Sequence, residues 1–367
     1  MKPGEKRRIY EFDLLRGIFI VIIIIDHLQF WPSPLSYVTG EGRLWVSAAE
    51  GFFLISGLLV GYIRAYKDQS KPLWGISKKL LQRALMLYLW GIGITFAITC
   101  FTLLMHGNPM LPKLPTAEQL ASPFVFIWNV ISGNYFNDWI YFLRLYAIML
   151  AVTPLFLWML RRRQERVVIA FMALAYAVSF VWPEGALQWQ VLFFGAALLG
   201  YKLEAIGAWL SAHPIIKLVG TVALITATIV TMVLSYFFVL SWGLVENPNW
   251  HWMDREQYVT IRAVIDPWFT SNPMSIGRIL LAFLWMGGLF MFVHTFRLFI
   301  MRWFGWLLLP LGSRSLSAYC LQALLLPLIV TTIPVTGKLA NTLVALATVL
   351  LIWSLLRIPI VKRLLPV

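Results

Sequence analysis

The chain is poor in charged residues and in cysteine, and each shortage excludes a class of protein. Only 13% of its 367 residues are charged, whereas 60% are hydrophobic and the mean hydropathy is +0.77. No soluble domain needs so much apolar surface, so the composition predicts an all-α, polytopic integral membrane protein. The two cysteines, Cys100 and Cys320, both lie in apolar runs. They exclude a disulfide framework, and such buried thiols are usually inert.

Acidic residues are also few, and the net charge is +14. This excess does not require a nucleic acid partner, because lysine and arginine collect in the cytoplasmic loops of membrane proteins.

Apolar stretches of about 20 residues cross a bilayer. On that criterion a single transmembrane domain, 1–367, is expected, without internal repeats or a separate soluble domain. The ten expected spans are 12–30, 45–63, 81–104, 139–160, 167–182, 186–201, 218–242, 279–300, 312–333 and 339–357.

The positions of lysine and arginine predict how the chain is oriented. With the N-terminus inside, 22 of them lie at the inner ends of the spans. The seven on the outer side are Arg43, Lys113, Arg144, Arg255, Arg262, Arg278 and Lys338. This imbalance predicts an N-in, C-in topology. Two long segments, 105–138 and 243–278, are then extracytoplasmic loops where a large acceptor would meet the protein. The first span lacks a small-residue cleavage site, so we expect it to be retained.

Four ionisable side chains interrupt the first span, "FDLLRGIFIVIIIIDHLQFW". Inserting such a group near the bilayer centre costs at least about 2.5–3.5 kcal/mol of free energy, and ionisable groups found there therefore tend to be functional. Arg16 and His27 are eleven residues apart, which places them within about 20° on one face of a helix and about 16 Å apart along it. Asp13 is the expected partner of Arg16, while Asp26 has no predicted role. The alternatives are an anchoring Asp13–Arg16 pair and a histidine that reaches the outer water.

The second span carries a similar stripe. Glu50, Gly57, Gly61 and Arg64 fall within about 40° of one line along the helix. Glu50 lies at a depth similar to His27, where a carboxylate would fix the imidazole tautomer that a general base needs. If the two stripes face each other, the glycines leave room for a passage with a cationic inner mouth. Ordinary packing of small residues between helices is the alternative for the glycines.

This geometry suits acyl transfer. A phosphate-rich donor such as acyl-CoA would bind at the basic inner mouth, and its arm would present the thioester to His27, which would deprotonate a hydroxyl. Further donor-side cations precede the third span, although each also suits positive-inside anchoring: Lys78, Lys79 and Arg83. A transporter or flippase of a small anionic or glycan-linked substrate is the alternative, but repeat symmetry would then be usual. A structural or sensor protein would leave His27 and Glu50 unexplained.

Motifs along nearly the whole chain carry a resemblance. The first two are "FDLLRGIFIVIIIIDH" and "SAAEGFFLISGLLVG". Three more follow in order: "IYFLRLYAIMLAVTPLFLWMLRRR", "FVWPEGALQWQVLFFGAALLG" and "LGSRSLSAYCLQALLL". Together they resemble the acyltransferase-3 superfamily, most closely its OpgC branch of glucan succinyltransferases. The resemblance implies a multi-pass O-acyltransferase of the bacterial cytoplasmic (inner) membrane. It would move a succinyl or acetyl group from cytoplasmic acyl-CoA to a hydroxyl of an extracytoplasmic glycan.

The resemblance also implies roles for single residues. His27 would be the catalytic histidine, Glu50 matches the glutamate of an Ala-Glu motif, and Arg16 belongs to the donor-side signature. Lys79 and Arg83 map loosely onto a basic pair before the third helix. Acyl-CoA would be a co-substrate, and no bound cofactor is expected. The acyl group, the acceptor and the oligomeric state are left open by the sequence.

The remaining polar residues give weaker predictions. Arg43 and Arg144 suit the free carboxylate of a succinyl group, and Trp189 and Gln190 would line the acceptor site or belong to the interfacial belt. Arg314 and Ser315 would contact donor phosphates or, by default, cap a helix. The other histidines lack metal-ligand spacing, so no metal is predicted; they are His106, His213, His251 and His294.

Overall fold

The computed structural model describes residues 9–105, 108–247, 249 and 252–366. The predicted cations within 1–8, and also His106 and His251, lie outside the described residues. In these ranges the chain is all-α, with one isolated bridge between Ser271 and Met274. The α-helices are α1 (Tyr10–Leu28), α2 (Ser36–Thr39), α3 (Ala48–Leu59), α4 (Leu73–Leu104), α5 (Pro123–Ser132), α6 (Tyr141–Arg161), α7 (Glu165–Val178), α8 (Gly185–Ala212), α9 (Pro214–Leu240), α10 (Trp242–Val245), α11 (Arg255–Ile265), α12 (Ile276–Thr295), α13 (Arg297–Ser313), α14 (Ser315–Thr332), α15 (Lys338–Leu355) and α16 (Pro359–Leu364).

Shorter helical segments extend this framework. Helix α3 continues without a break as a π-helix, Val60–Lys67. Single 3₁₀ turns occupy Gly40–Gly42, Asp138–Ile140 and Asp266–Phe269. The two long segments that were expected to be loops therefore contain helical structure, α5 in the first and α10, α11 and a 3₁₀ turn in the second.

Eight helices in the described part of the chain are long and apolar enough to cross a membrane. Each of them coincides with an expected span, but the expected count of ten is not reached. Helix α1 has 19 residues, and four of them are acidic residues or arginine: Glu11, Asp13, Arg16 and Asp26. Helix α7 has only 14 residues. The first expected span therefore falls short in composition and the fifth in length.

Helix α13 was not expected, and it packs closely against the N-terminal part of α1. At its start, Nη1 of Arg297 lies 3.0 Å from Oε1 of Glu11. Near its end, a Cβ added to Gly312 would lie 1.7 Å from the carbonyl oxygen of Asp13, and one added to Gly17 would lie 2.3 Å from that of Leu308. Only glycine permits such contact between two backbones. Both ends of α13 thus lie at the same end of α1.

Glycines also join α3 to α8. A Cβ on Gly57 would lie 2.0 Å from the carbonyl oxygen of Phe193, and one on Gly61 would lie 1.9 Å from that of Ala197. In return, a Cβ on Gly200 would lie 2.1 Å from a carbonyl oxygen of α3. The space beside these glycines is therefore filled by the neighbouring helix, and the glycines do not border a passage. The prediction of a passage along this stripe is wrong, and the alternative of small-residue packing describes it.

Candidate active site at the two ends of the first helix

His27 lies at the C-terminal end of α1, against α14 and the turn that precedes α6. Its Nδ1 is 3.0 Å from Nε2 of Gln322. The ring of Trp139 stacks on the imidazole at 6.2 Å with an interplanar angle of 13°, and the ring of Tyr319 lies 6.3 Å away. Gln322 and Tyr319 share one face of α14, because they are three residues apart. His27 is half-buried as a residue, and its imidazole is held by these groups.

Glu50 does not form the expected contact with His27. Its Oε1 accepts a hydrogen bond of 2.6 Å from Nε of Arg278, and both side chains are buried. Its Oε2 accepts from the backbone nitrogen of Ser47 at 2.9 Å, completing a capping box at the start of α3. The sequence did not indicate this pairing, because Arg278 is 228 residues away in the chain. Gln322 is the residue at His27. Sequence reasoning missed it because it is uncharged, although it lies within the quoted motif "LGSRSLSAYCLQALLL".

Arg16 lies toward the other end of α1, where four helices meet. Its Nη2 is 3.5 Å from the hydroxyl of Ser56 in α3. Asp13 attracts the guanidinium electrostatically, Tyr146 of α6 lies nearby, and Arg83 of α4 is close enough to repel it. Within the described ranges, Nε of Arg16 is buried and has no hydrogen-bond partner. The structure therefore brings together Arg16, Asp13 and Arg83, which the sequence placed on the donor side.

Arg314 joins this end of α1 as well. It follows Gly312, whose backbone touches Asp13. Its Nη1 is buried, without a hydrogen-bond partner among the residues described, and its side chain does not cap α14. Ser315 is buried beside it. We call Arg16, Arg83 and Arg314 the cationic group, because each belongs to this end of α1 or to a segment that contacts it. Two of its arginines, Arg16 and Arg314, have unused donor atoms in the described ranges.

Arg64 forms an ion pair with a nearby aspartate and does not contact Arg16 in the interactions described. Its Nη1 lies 2.8 Å from Oδ2 of Asp68, and Nζ of Lys71 lies 2.5 Å from Oδ1. Burial raises the pKa of Asp68, but hydrogen bonds from Lys71 and Arg64 outweigh it and hold the pKa below its ordinary value of 3.8. Arg161 donates to the backbone carbonyls of both loop residues, Lys71 and Asp68. These contacts hold the connection between the π-helix and α4.

The other basic residues of α4 lie on its exposed surface. Lys78, Lys79 and Arg83 are all exposed. Lys79 and Arg83 are four residues apart and share a face of the helix, whereas Lys78 is turned about 100° from Lys79. Of the three, Arg83 is the one that interacts electrostatically with Arg16.

Three of the four acceptor-side candidates make contacts that join helices. Arg144 forms a bidentate ion pair with Glu184, with nitrogen–oxygen distances of 3.0 and 3.1 Å. Trp189 packs on a phenylalanine of α3 at 4.9 Å, and Gln190 donates to a backbone carbonyl of α7 at 2.9 Å. Arg43 differs, because 70% of its side chain is exposed. It borders a cavity between the segment that precedes α3 and the segment between α9 and α12.

The described residues contain no group of three or more histidine, cysteine or acidic side chains that would suit a metal ion. The apolar helices and the half-buried Arg16 and His27 of α1 indicate a polytopic membrane protein with polar residues inside its bundle. A family model described as "OpgC protein" matches residues 8–361, so the chain belongs to the OpgC family. The predicted resemblance is thereby confirmed. Family membership assigns the chain to membrane acyltransferases of bacteria that modify glucans.

Two further comparisons gave no relative. No curated protein matches the chain. No solved structure matches it either.

Proposed function

We propose that the chain transfers a succinyl group from cytoplasmic acyl-CoA to a hydroxyl of an extracytoplasmic glucan, in the bacterial cytoplasmic membrane with both termini inside. The observation that supports this most is the placement of Arg16 and His27 on one face of α1. Both are half-buried, and they are about 16 Å apart along the helix. A cationic group lies at one end and an imidazole at the other. Acyl-CoA has the same layout, because a long arm separates its phosphates from its thioester.

The donor would bind at the cationic group. A buried hydrogen-bond donor that is left unsatisfied costs about 1–3 kcal/mol. Arg16 and Arg314 each have one such atom in the described structure. Phosphate oxygens form strong, charge-assisted hydrogen bonds with guanidinium groups. Bound donor phosphates would therefore remove both penalties and offset the repulsion between Arg16 and Arg83. The excess of lysine and arginine on this side of the spans supports its assignment to the cytoplasm.

The chemical step would take place at His27. Its Nε2 accepts the proton of a glucan hydroxyl while the hydroxyl oxygen attacks the carbonyl carbon of the thioester. The carbon–sulfur bond then breaks, and the imidazolium returns the proton to the leaving thiolate of CoA. An ester and free CoA are the products. Trp139 and Tyr319 would shield the reacting groups from water on two sides of the imidazole.

The first experiment is replacement of His27 in the purified protein, with acyl-CoA and glucan as substrates. We expect His27→Ala to lower kcat by about 10²- to 10⁴-fold, the usual contribution of a positioned base. Mass spectrometry of the glucan detects the acylated product, and the added mass distinguishes a succinyl group from an acetyl group. His213→Ala is the matched control, because His213 is exposed and bonds only a backbone carbonyl of its own helix at 2.9 Å. Undiminished acylation by His27→Ala would refute the proposal. Altered glucan export with unaltered acylation would favour a transporter.

The second experiment measures donor affinity. Arg16→Gln and Arg83→Gln should each weaken acyl-CoA binding by about tenfold or more, because each removes a charged phosphate contact. Arg357→Gln is the control, since Arg357 is an exposed cation that stacks on Trp353 at 4.4 Å. Arg64→Gln should have a smaller effect, because Asp68 already occupies that guanidinium. An unchanged dissociation constant for Arg16→Gln would remove Arg16 from the donor site.

A further inference from the structure

Two of the outer segments meet and enclose a cavity of about 510 Å³. The segment between α1 and α3 contributes Arg43 and Trp45, and the segment between α9 and α12 contributes Trp242 and Arg262. Arg278, at the start of α12, completes the wall. The first of these segments begins directly after α1, so the cavity lies at the same end of the bundle as His27. None of these residues takes part in the proposed acyl transfer.

One buried guanidinium holds the walls of this outer cavity together. Arg278 binds Oε1 of Glu50 at 2.6 Å, and its Nη1 donates to the backbone carbonyls of Leu44 at 3.5 Å and Phe269 at 3.2 Å. These partners belong to α3, the segment after α1 and the 3₁₀ turn Asp266–Phe269. The cavity is therefore preorganised, and a ligand need not order its walls on binding.

Trp45, which borders the cavity, has an unused hydrogen-bond donor. Trp45 is only 6% exposed, and its ring stacks on Phe269 at 4.3 Å. Its backbone nitrogen donates to the hydroxyl of Ser235 at 3.0 Å. Its indole Nε1 is buried without a partner in the part of the chain that the structure describes. A buried indole N–H normally has a partner. A ligand oxygen in the cavity would provide one.

The charges of the cavity indicate a neutral ligand. Each of the three arginines lies near a carboxylate of the chain. Nη2 of Arg262 lies 2.8 Å from Asp266, and Arg278 is paired with Glu50. Arg43 is 3.6 Å from Glu41. An anion would have to compete with these partners. Paired charges, an indole N–H and the ring of Trp242 instead offer hydrogen bonds together with a flat apolar surface. That combination suits a sugar, which has hydroxyls at its edge and C–H groups on its faces.

We infer that the outer cavity binds a stretch of the neutral glucan acceptor, at a subsite distinct from the reacting hydroxyl at His27. This inference rests on the proposed function and names where its acceptor is held. Trp45 donates from Nε1 to a sugar oxygen, and Trp242 presents its ring to a sugar face. The subsite favours long acceptors, because only a chain of several sugars occupies the cavity and the His27 site together.

The test compares long and short acceptors with purified protein. Trp45→Phe keeps the aromatic ring on Phe269 and removes the indole N–H. We expect it to raise KM for a long neutral gluco-oligosaccharide by about tenfold, as loss of a hydrogen bond predicts, with kcat unchanged. KM for free glucose should not change. Trp242→Ala should act in the same way, and Trp242→Phe should restore binding. Trp128→Phe is the control, because Trp128 is exposed on α5 in the other long segment.

The outcomes separate this inference from the proposed function. Binding of the long oligosaccharide is also measured in the His27→Ala variant, which should bind it normally. If that variant loses acylation while Trp45→Phe and Trp242→Ala keep the wild-type KM for every acceptor, the subsite is refuted and the proposed function stands. If the oligosaccharide binds in the cavity but His27→Ala still acylates, the proposed function fails and the subsite stands. Binding of succinate to the cavity without any oligosaccharide binding would also refute the subsite.

Discussion

Gln322 is the hydrogen-bond partner of His27 and would determine how His27 acts in the proposed reaction. An amide side chain has two orientations of nearly equal shape, which exchange its nitrogen and its oxygen. With the nitrogen toward Nδ1, as at 3.0 Å here, Nδ1 accepts and the proton lies on Nε2. With the oxygen toward Nδ1, that nitrogen carries the proton and Nε2 is free to accept one. The oxygen of Gln322 has no other partner among the described residues. We therefore expect the turned amide in the reacting state.

Substitution of Gln322 tests this positioning role. Gln322→Glu keeps an oxygen toward Nδ1 and should retain most of kcat, whereas Gln322→Leu should lower kcat by about 10- to 100-fold, part of what a positioned base contributes. Affinity for acyl-CoA should be unchanged in both, because the cationic group is at the other end of α1. Equal activity of the two variants in steady-state assays would show that Gln322 only fills space.

Glu50 and Arg278 form the best-buried ion pair described, with exposed side-chain fractions of 1% and 8%. Removing one partner leaves an uncompensated charge, which typically costs about 3–5 kcal/mol. Glu50→Leu should therefore lower the unfolding temperature of the purified protein strongly. The double variant with Arg278→Met should recover much of the loss, since an apolar pair of similar volume is often tolerated.

The same double variant also tests the predicted catalytic role of Glu50. If Glu50 serves only to hold Arg278, the stable double variant should still acylate a small acceptor. A variant that is stable and inactive toward small acceptors would instead assign Glu50 to the chemical step.

At the scale of the helix, the contact between α3 and α8 depends on glycine. Gly61→Ala would place a methyl group 1.9 Å from a backbone oxygen, and overpacking of this kind costs about 1–3 kcal/mol. Gly207 lies in α8 with no atom within 4 Å of an added Cβ. Gly207→Ala is therefore the control, and alanine should be neutral or slightly favourable there. Thermal unfolding of both variants measures the difference. Equal stability would mean that the two helices can separate freely.

The sequence predicted the helices better than their contacts. Helices α9 and α12 were expected because each is a continuous apolar run of sufficient length. Helix α13 was missed, because its residues continue the apolar run of α12 and only a one-residue break at Phe296 divides them. The sequence singled out Arg16, Arg83 and His27, because charge is conspicuous in apolar helices. It did not single out Gln322, Trp139 or the partner of Glu50, because distant contacts depend on which helix faces meet.

For the whole molecule, the distribution of basic residues predicts which ends face the cytoplasm. In a Cys100→Ser background, Tyr37→Cys and Ser211→Cys place single exposed thiols on opposite sides of the expected membrane, while Cys320 is buried. A membrane-impermeant thiol reagent should label position 37 in intact spheroplasts. It should label position 211 only after lysis. The reverse pattern would invert the topology, and the donor and acceptor assignments with it.

The two sides of the His27 site are separated by 295 positions in the chain, from His27 to Gln322. At about 5–20 residues per second of synthesis, roughly 15 to 60 s pass between the emergence of the two residues from a ribosome. During that interval α1 resides in the membrane without α13 and α14, which later cover its polar face. The charged first helix is thus the least protected element early in biogenesis. Chains that stop before α14 should be inactive and should be degraded by membrane proteases, so that catalytic activity begins only near completion of synthesis.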